Sequence, residues 1–236
     1  MISNPVAAPE TPLAPIRLLG GLAVAAGFTN AVADYALRGG PRPVSGAAIS
    51  LEMLGSVPHE SIWFGSLLGA AVMPLWILGL FPVYVGLRPA GRWWAALPVF
   101  LFGYGICVAS GYHGSYALYG SGFALQAALP EATDVSRHLD HLMQHHDGLQ
   151  AVFVAPWIIG SVSFVVIVLT GRTGFPRWMA FTSPILVPLI VTLSAGLPAP
   201  LGGYIRPGIG SLTWTLFFAM ALWLTWNGVD QPVKKR

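Results

Sequence analysis

Long apolar stretches alternate along the chain with short polar connections. A helix that crosses a lipid bilayer needs about 20 mostly apolar residues. Six stretches meet this requirement, at about residues 16–37, 61–86, 93–117, 148–170, 178–197 and 210–228. None of them shows the alternating pattern of a membrane β-barrel strand. The pattern therefore predicts an all-α integral membrane protein, a six-helix transmembrane bundle with short interfacial helices in the connections on one side.

Composition supports this prediction and narrows the possible partners. Of the 236 residues, 55% are hydrophobic and only 9% are charged, whereas an ordinary soluble domain has about 25% charged residues. The single cysteine, Cys107, excludes an intrachain disulfide and a cysteine-cluster metal site. The net charge of +3 comes from Lys and Arg beside the spans. We therefore expect contact with membrane lipids and no nucleic-acid partner. A homo-oligomer is also possible.

The distribution of Lys and Arg predicts the orientation. We call the side that holds the N-terminus side A and the opposite side, side B. Eight Lys and Arg residues fall on side A and four on side B. Since cytoplasmic connections carry more Lys and Arg, side A is predicted to be cytoplasmic, in a plasma (inner) membrane. Residues 1–15 and 229–236 would be cytoplasmic tails around one transmembrane domain, 16–228.

Nearly all side chains able to do acid–base or metal chemistry are predicted on side B. This holds for all six histidines and for seven of the nine Asp and Glu residues. The inner half of the bundle has no predicted chain of ionisable groups. A polar cavity that opens toward the extracytoplasmic side is therefore expected.

The strongest local pattern is ATDVSRHLDHLMQHHDG, between the third and fourth spans. A helix that begins at Thr133 or Asp134 would place Asp134, His138, His141 and His145 on one stripe, because a residue turns by about 100° in an α-helix. Imidazoles at i and i+4 can chelate one metal ion. The sequence predicts a metal site at His141 and His145, with His138 or His113 as the third ligand. Zinc is the default metal for imidazole ligands, although copper and iron fit equally well. A solvated interfacial helix without metal is the simpler alternative.

Two further groups stand near the side B ends of the spans. His113 lies in SGYHGSYALYG, and ionisable residues inside membranes usually face the bundle interior. Asn30 and Asp34 lie one helical turn apart in the first span. We predict His113, Asp34 and Asp134 as catalytic candidates, with Asp34 or Asp134 as the base that acts on a metal-bound water. An interhelical hydrogen bond of His113, and an ion pair between Asp34 and Arg38, are the structural alternatives.

Other polar side chains are predicted at the rim of the same cavity. They come from a short interfacial helix within 45–54, the start of the second span, the neighbourhood of His113 and the last side B loop, among other places. They are Asn30, Glu52, His59, Glu60, Tyr112, Tyr116, His146, Tyr204 and Arg206. Favourable interaction with a helix dipole or anchoring at the interface would explain several of them equally well.

The set of side B His and Asp residues resembles that of seven-span zinc-dependent lipid amidohydrolases such as alkaline ceramidases. That resemblance implies metal-assisted hydrolysis of a lipid, but this chain has six predicted spans and lacks their terminal HxxxH span. We predict a membrane enzyme, a hydrolase or oxidoreductase, that acts on a lipid or apolar substrate. A small-solute channel or transporter with a His-rich, pH-sensitive gate is the first alternative, and an accessory subunit of a membrane complex is the second.

Overall fold

A computed structural model describes residues 13–38, 51–197 and 205–229. About 87% of these residues are helical, and no strand occurs among them. The α-helices are α1 (Leu13–Leu37), α2 (His59–Val72), α3 (Trp76–Leu87), α4 (Arg92–Gly114), α5 (Tyr116–Ala128), α6 (Thr133–Leu169), α7 (Leu186–Ala195) and α8 (Ile209–Thr225). Short 3₁₀ turns occupy Leu51–Ser56, Met73–Leu75, Arg88–Ala90, Arg177–Thr182 and Arg206–Gly208.

Five helical stretches are long and apolar enough to cross a membrane: Leu13–Leu37, His59–Ala90, Arg92–Ala128, Thr133–Leu169 and Arg206–Thr225. They contain the predicted first, second, third, fourth and sixth spans. This architecture is compatible with a membrane protein, and large apolar side chains such as those of Phe100, Trp93 and Phe181 are more than two-thirds exposed. Exposed apolar side chains of this size are expected where lipid replaces water as the solvent.

The region of the predicted fifth span differs from a single continuous helix. Where the sequence predicts one span over 178–197, the structure has the 3₁₀ turn Arg177–Thr182, an extended Ser183 and the ten-residue α7. Pro184 explains the division, because proline disfavours helical backbone in the preceding residue, here Ser183; Pro188 lies in the first turn of α7 without ending it.

Two other helices extend beyond the boundaries predicted for them. The helix predicted to begin at Thr133 does begin there and continues without interruption through the fourth span to Leu169. The third span continues past its predicted end at Ala117 through α5, with only a helical Ser115 between α4 and α5. Pro156 lies inside α6 without ending it. Most of the predicted interfacial helix at 45–54 lies outside the described residues.

The bundle is arranged around α1, which packs against α2, α3 and α8, while α4 packs mainly against α6 and also against α2 and α3. Its centre is aromatic. The side chains of Trp76, Phe102, Phe164, Trp214, Phe217 and Phe218 are almost completely buried. Their ring centroids lie 5.2–6.1 Å apart in tilted and edge-to-face pairs. This core joins α3, α4, α6 and α8, and α1 packs against α3 and α8.

Candidate functional site

A hydrogen-bonded pair of largely buried side chains, His113 and Asp34, joins α1 and α4 near their side B ends. Nε2 of His113 lies 3.1 Å from Oδ1 of Asp34, and the two side chains are only 7% and 17% exposed. Burying a charged group is expensive unless a partner compensates it. The two predicted catalytic candidates from distant parts of the chain are thus brought together.

Asp34 also binds the first turn of α8. Oγ of Ser211 donates to Oδ2 of Asp34 at 2.5 Å, and Nδ2 of Asn30 donates to Oγ of Ser211 at 2.7 Å. Asn30 is one turn before Asp34 on α1 and is 2% exposed, which is the shared face expected from their spacing. Both carboxylate oxygens of Asp34 are therefore occupied, and its orientation is fixed by α4 and α8 together.

A glycine on α2 makes room for the imidazole of His113. A Cβ atom added at Gly69 would lie 2.1 Å from Cε1 and 2.2 Å from Nδ1 of His113, so the ring fits only against a residue without a side chain. Nδ1 is buried and has no hydrogen-bond partner among the described residues. When Nε2 carries the hydrogen that Asp34 accepts, Nδ1 holds a free lone pair, which is the state of a histidine base oriented by a carboxylate.

A second polar cluster lies between α4, α5 and α6. The hydroxyl of Tyr112 lies 2.5 Å from Nε2 of His146, and Nδ1 of His146 lies 3.1 Å from Oδ1 of Asp147. The ring of Tyr112 also meets that of Tyr116 edge to face, with centroids 5.4 Å apart. The ring of Tyr119 meets His146 in the same way at 5.1 Å. Four polar side chains of two helical segments therefore surround a buried imidazole.

The two clusters are in contact through Tyr116. Its ring meets that of His113 edge to face, with centroids 5.6 Å apart. Its ring also meets that of Tyr112, which belongs to the second cluster. The predicted rim residues Tyr112, Tyr116 and His146 thus lie beside the His113–Asp34 pair.

The predicted metal ligands of α6 occupy a different surface. His138, His141 and His145 share one face of the helix, as their spacing requires, and all three are exposed. Asp134 is also exposed and pairs with Arg137 at 3.1 Å. Within the described ranges, no group of three or more His, Cys, Asp or Glu side chains is arranged to hold a metal ion. The exposed stripe offers imidazoles one helical turn apart, and His113 lies elsewhere in the bundle.

Three other predicted rim residues lie at the surface. Glu52, His59 and Glu60 are exposed. His59 and Glu60 border an open groove of about 770 Å³ that continues along α2 over apolar side chains, including Trp63 and Leu67. Glu52 belongs to a separate cleft of about 410 Å³ between the Leu51–Ser56 turn and α5.

Arg206 is buried, at 6% exposure. One of its guanidinium nitrogens donates to the carbonyl of Leu197 at 3.4 Å, and its own carbonyl accepts from Arg38 at 3.3 Å. The bond from Arg38 links the end of α1 to the turn before α8, and the bond to Leu197 links that turn to the chain after α7. The predicted rim residue Tyr204 lies outside the described residues.

The sequence did not point to Ser211 or Gly69. A serine in the first turn of an apolar span is common, and nothing in its neighbourhood distinguishes it. Gly69 is one of 28 glycines. Only the packing of α8 against α1, and of α2 against α4, shows what these two residues do.

A family model matches residues 13–227, and the chain belongs to that family, DUF6796, a family of unknown function. Comparison with curated proteins and with solved structures finds no match.

Proposed function

We propose that this member of a family of unknown function is a membrane-embedded enzyme. It acts on a lipid or other apolar substrate from the extracytoplasmic side, with His113 and Asp34 as its acid–base pair. The main support is the buried contact of 3.1 Å between these two side chains. Ionisable groups inside a membrane bundle are costly and usually functional. A carboxylate that fixes an imidazole is also the usual arrangement of a histidine base.

The pair would work by moving one proton. Nδ1 of His113 would accept a proton from water or from a substrate hydroxyl, and Asp34 would stabilise the resulting imidazolium. The hydrogen bond from Ser211 to Asp34, and that from Asn30 to Ser211, would keep the carboxylate in place during the transfer. Acid–base catalysis of this kind contributes about 10²- to 10⁴-fold to a reaction rate.

The groove along α2 supports an apolar substrate. It runs from the polar side chains of His59 and Glu60 along Trp63, Phe64 and Leu67, three side chains that are about half exposed. An acyl chain would fit against these apolar side chains, with its polar group near the side B end. Gly69, which contacts His113, follows on the same helix.

The enzyme would cross the membrane six times, with both termini in the cytoplasm of a plasma (inner) membrane. At about 1.5 Å per residue, the ten residues of α7 cover only half of the hydrocarbon core. The fifth crossing would therefore need the Arg177–Thr182 turn and the chain after α7 as well. Orientation can be tested with Arg88→Cys and Glu131→Cys, each in a Cys107→Ser background. In intact cells an impermeant thiol reagent should label only the Glu131→Cys protein; labelling of only Arg88→Cys would reverse the orientation.

The proposal includes a divalent metal ion, with zinc as the first candidate. His141 and His145 would be two of its ligands and His138 the third ligand. Their support is the shared exposed face of α6. A bound metal would supply a Lewis acid and lower the pKa of a coordinated water. Elemental analysis of purified wild type and of the His141→Ala/His145→Ala variant tests this. Metal lost in the variant would support the site, and no metal in wild type after loading would exclude it.

Turnover of lipids tests the central proposal. Purified protein is reconstituted with a total membrane lipid extract, and products are followed by mass spectrometry. Asp34→Asn and His113→Gln should reduce product formation by about 10²-fold or more. Asp140→Asn, at an exposed position on α6 that has no proposed role, serves as a control for the loss of a carboxylate. Equal turnover by wild type and both pair variants would refute the role of the pair. Absence of turnover in wild type would favour the channel or accessory-subunit alternatives.

A further inference from the structure

The end of the bundle away from the candidate site carries a group of exposed arginines. They lie in the turn between α3 and α4 and in the connection that follows α6, and they are Arg88, Arg92, Arg172 and Arg177. The seven Asp and Glu residues of the described ranges all belong to predicted side B. The part of side A that the structure describes therefore offers these arginines no carboxylate, and nothing there compensates their mutual repulsion.

A backbone hydrogen bond joins the two segments that carry the arginines. The N–H of Gly174 donates to the carbonyl of Gly86 at 2.8 Å. The ring of Phe175, only 3% exposed, packs directly against Gly86, where a Cβ atom would collide with it. The hydroxyl of Thr173 donates to the carbonyl of Phe175 at 3.1 Å. The end of α3 and the connection after α6 are therefore held together.

This contact brings three guanidinium groups into one neighbourhood. Arg88 follows the bonded glycine of α3 by two residues, and Arg172 and Arg177 lie two residues before and three residues after the bonded glycine of the connection. A Cβ atom added at Gly171 would lie 3.2 Å from Nη2 of Arg177, so this guanidinium lies over the residue next to Arg172. The planar guanidinium fork matches the oxygens of a phosphate, and three such groups from two segments favour an anionic partner of that chemistry.

Tryptophans at the same end of the bundle favour a lipid as the source of the phosphate. Trp93, Trp94 and Trp178 are 74%, 64% and 43% exposed, and the guanidinium of Arg92 lies 4.8 Å from the ring centroid of Trp93. Tryptophan is enriched at the level of the lipid headgroups. Because Trp178 directly follows Arg177 in the chain, the arginines lie at that level too.

We infer that Arg88, Arg172 and Arg177 bind the phosphate of an anionic phospholipid in the side A leaflet. Basic clusters between transmembrane helices bind anionic headgroups in this way. A zwitterionic phospholipid fits less well, because its ammonium group would meet the arginines with no carboxylate to pair with in the described part of side A. The inference rests on the proposed placement in a membrane, but it does not require that the protein is an enzyme.

Lipid binding in detergent tests the inference. Purified, delipidated protein is titrated with phosphatidylglycerol or with phosphatidylcholine of the same acyl chains, and bound lipid is counted by native mass spectrometry. Wild type should bind phosphatidylglycerol at least about tenfold more tightly. Arg88→Gln should weaken this binding by about fivefold, and Arg172→Gln/Arg177→Gln by about 25-fold.

Arg17→Gln is the matched control. It removes one positive charge from the same side, but Arg17 already donates to the carbonyl of Trp226 at 3.1 Å and lies over the ring of that residue. Its affinity for phosphatidylglycerol should stay within about twofold of wild type. The melting temperature of each variant without lipid shows whether it is folded, and Arg88→Gln, in a separate turn, keeps the test valid if the double variant is unstable.

Three results would overturn the inference. The first is equal affinity of wild type for the two lipids, and the second is an equal loss of binding in Arg17→Gln and Arg88→Gln, since general charge on side A would then be the cause. The third is displacement of the lipid by sodium phosphate but not by sodium chloride of the same ionic strength, which would assign the cluster to free phosphate. Asp34→Asn should bind phosphatidylglycerol like wild type, so failure of this surface and failure of the proposed acid–base pair are distinguishable.

Discussion

Gly69→Ala tests whether the imidazole of His113 is held where the structure places it. The added Cβ would lie 2.1 Å from Cε1 of His113, whereas ordinary van der Waals contact begins at 3.4 Å. The ring would have to move by about 1.3 Å to restore contact. A movement of this size is large compared with the 3.1 Å hydrogen bond between Nε2 and Asp34, so the substitution should disturb the ion pair as well as the packing.

The expected cost follows from three contributions. Overpacking costs about 2 kcal/mol, and weakening a hydrogen bond to a charged group adds about 1 to 2 kcal/mol. Alanine returns up to about 1 kcal/mol through its higher helix propensity. The net loss of about 2 to 3 kcal/mol corresponds to a fall in melting temperature of about 5 °C or more for a chain of this length.

Thermal unfolding in detergent, followed by tryptophan fluorescence, measures this loss. Gly111→Ala is the matched control, because an added Cβ there meets nothing within 4 Å; its melting temperature should be unchanged or slightly higher. The cost of Gly69→Ala should also largely disappear in a His113→Ala background, where the clashing ring is absent. A Gly69→Ala protein as stable as Gly111→Ala, or an undiminished cost in the His113→Ala background, would refute the described packing.

Two other predictions concern burial on α4 and α6. His146→Ala removes the hydrogen-bond partner of Tyr112 and leaves its partly buried hydroxyl unpaired, so it should lower the free energy of unfolding by about 1 to 3 kcal/mol. His141→Ala, at an exposed position, should change the free energy of unfolding by no more than about 0.5 kcal/mol. The same unfolding measurement compares them, and equal effects would contradict the inward orientation of His146. Cys107 is exposed in the middle of α4, so an apolar maleimide should label it in intact membranes while a charged thiol reagent should not. Rapid labelling by the charged reagent would show that water, rather than lipid, covers this face.

Hydropathy alone was sufficient to locate most of the membrane-length helices, because a spanning segment has to satisfy its backbone internally and cover itself with apolar side chains. It was less reliable at 178–197, where the composition is mostly apolar but the segment is divided at Ser183, directly before Pro184. The helix predicted to begin at Thr133 or Asp134 does begin at Thr133, although its N-cap is Ala132 and no side chain caps it.

The buried face of α6 could not be obtained from sequence spacing. Spacing gives the angles between side chains on one helix, so it correctly grouped His138, His141 and His145. It does not say which stripe faces the neighbouring helices, and the structure buries His146 with Leu139 instead. The pairing of Asp34 with His113 depends on how α1 and α4 both pack against α2 and α3, which no pattern within either helix encodes. Each residue could be identified as unusual for a span, but their contact could not be predicted.

The length of α6 has a mechanical consequence. Its 37 residues form a rod of about 55 Å at 1.5 Å per residue, longer than the 40–45 Å thickness of a whole bilayer. Gly160, packed against Phe102, lies toward its far end, about 40 Å from Thr133. A change in tilt of about 10° around that contact would swing the Thr133 end through about 7 Å. A difference in bilayer thickness that changes this tilt would therefore move the Thr133 end of α6, which carries the histidines, by several ångströms.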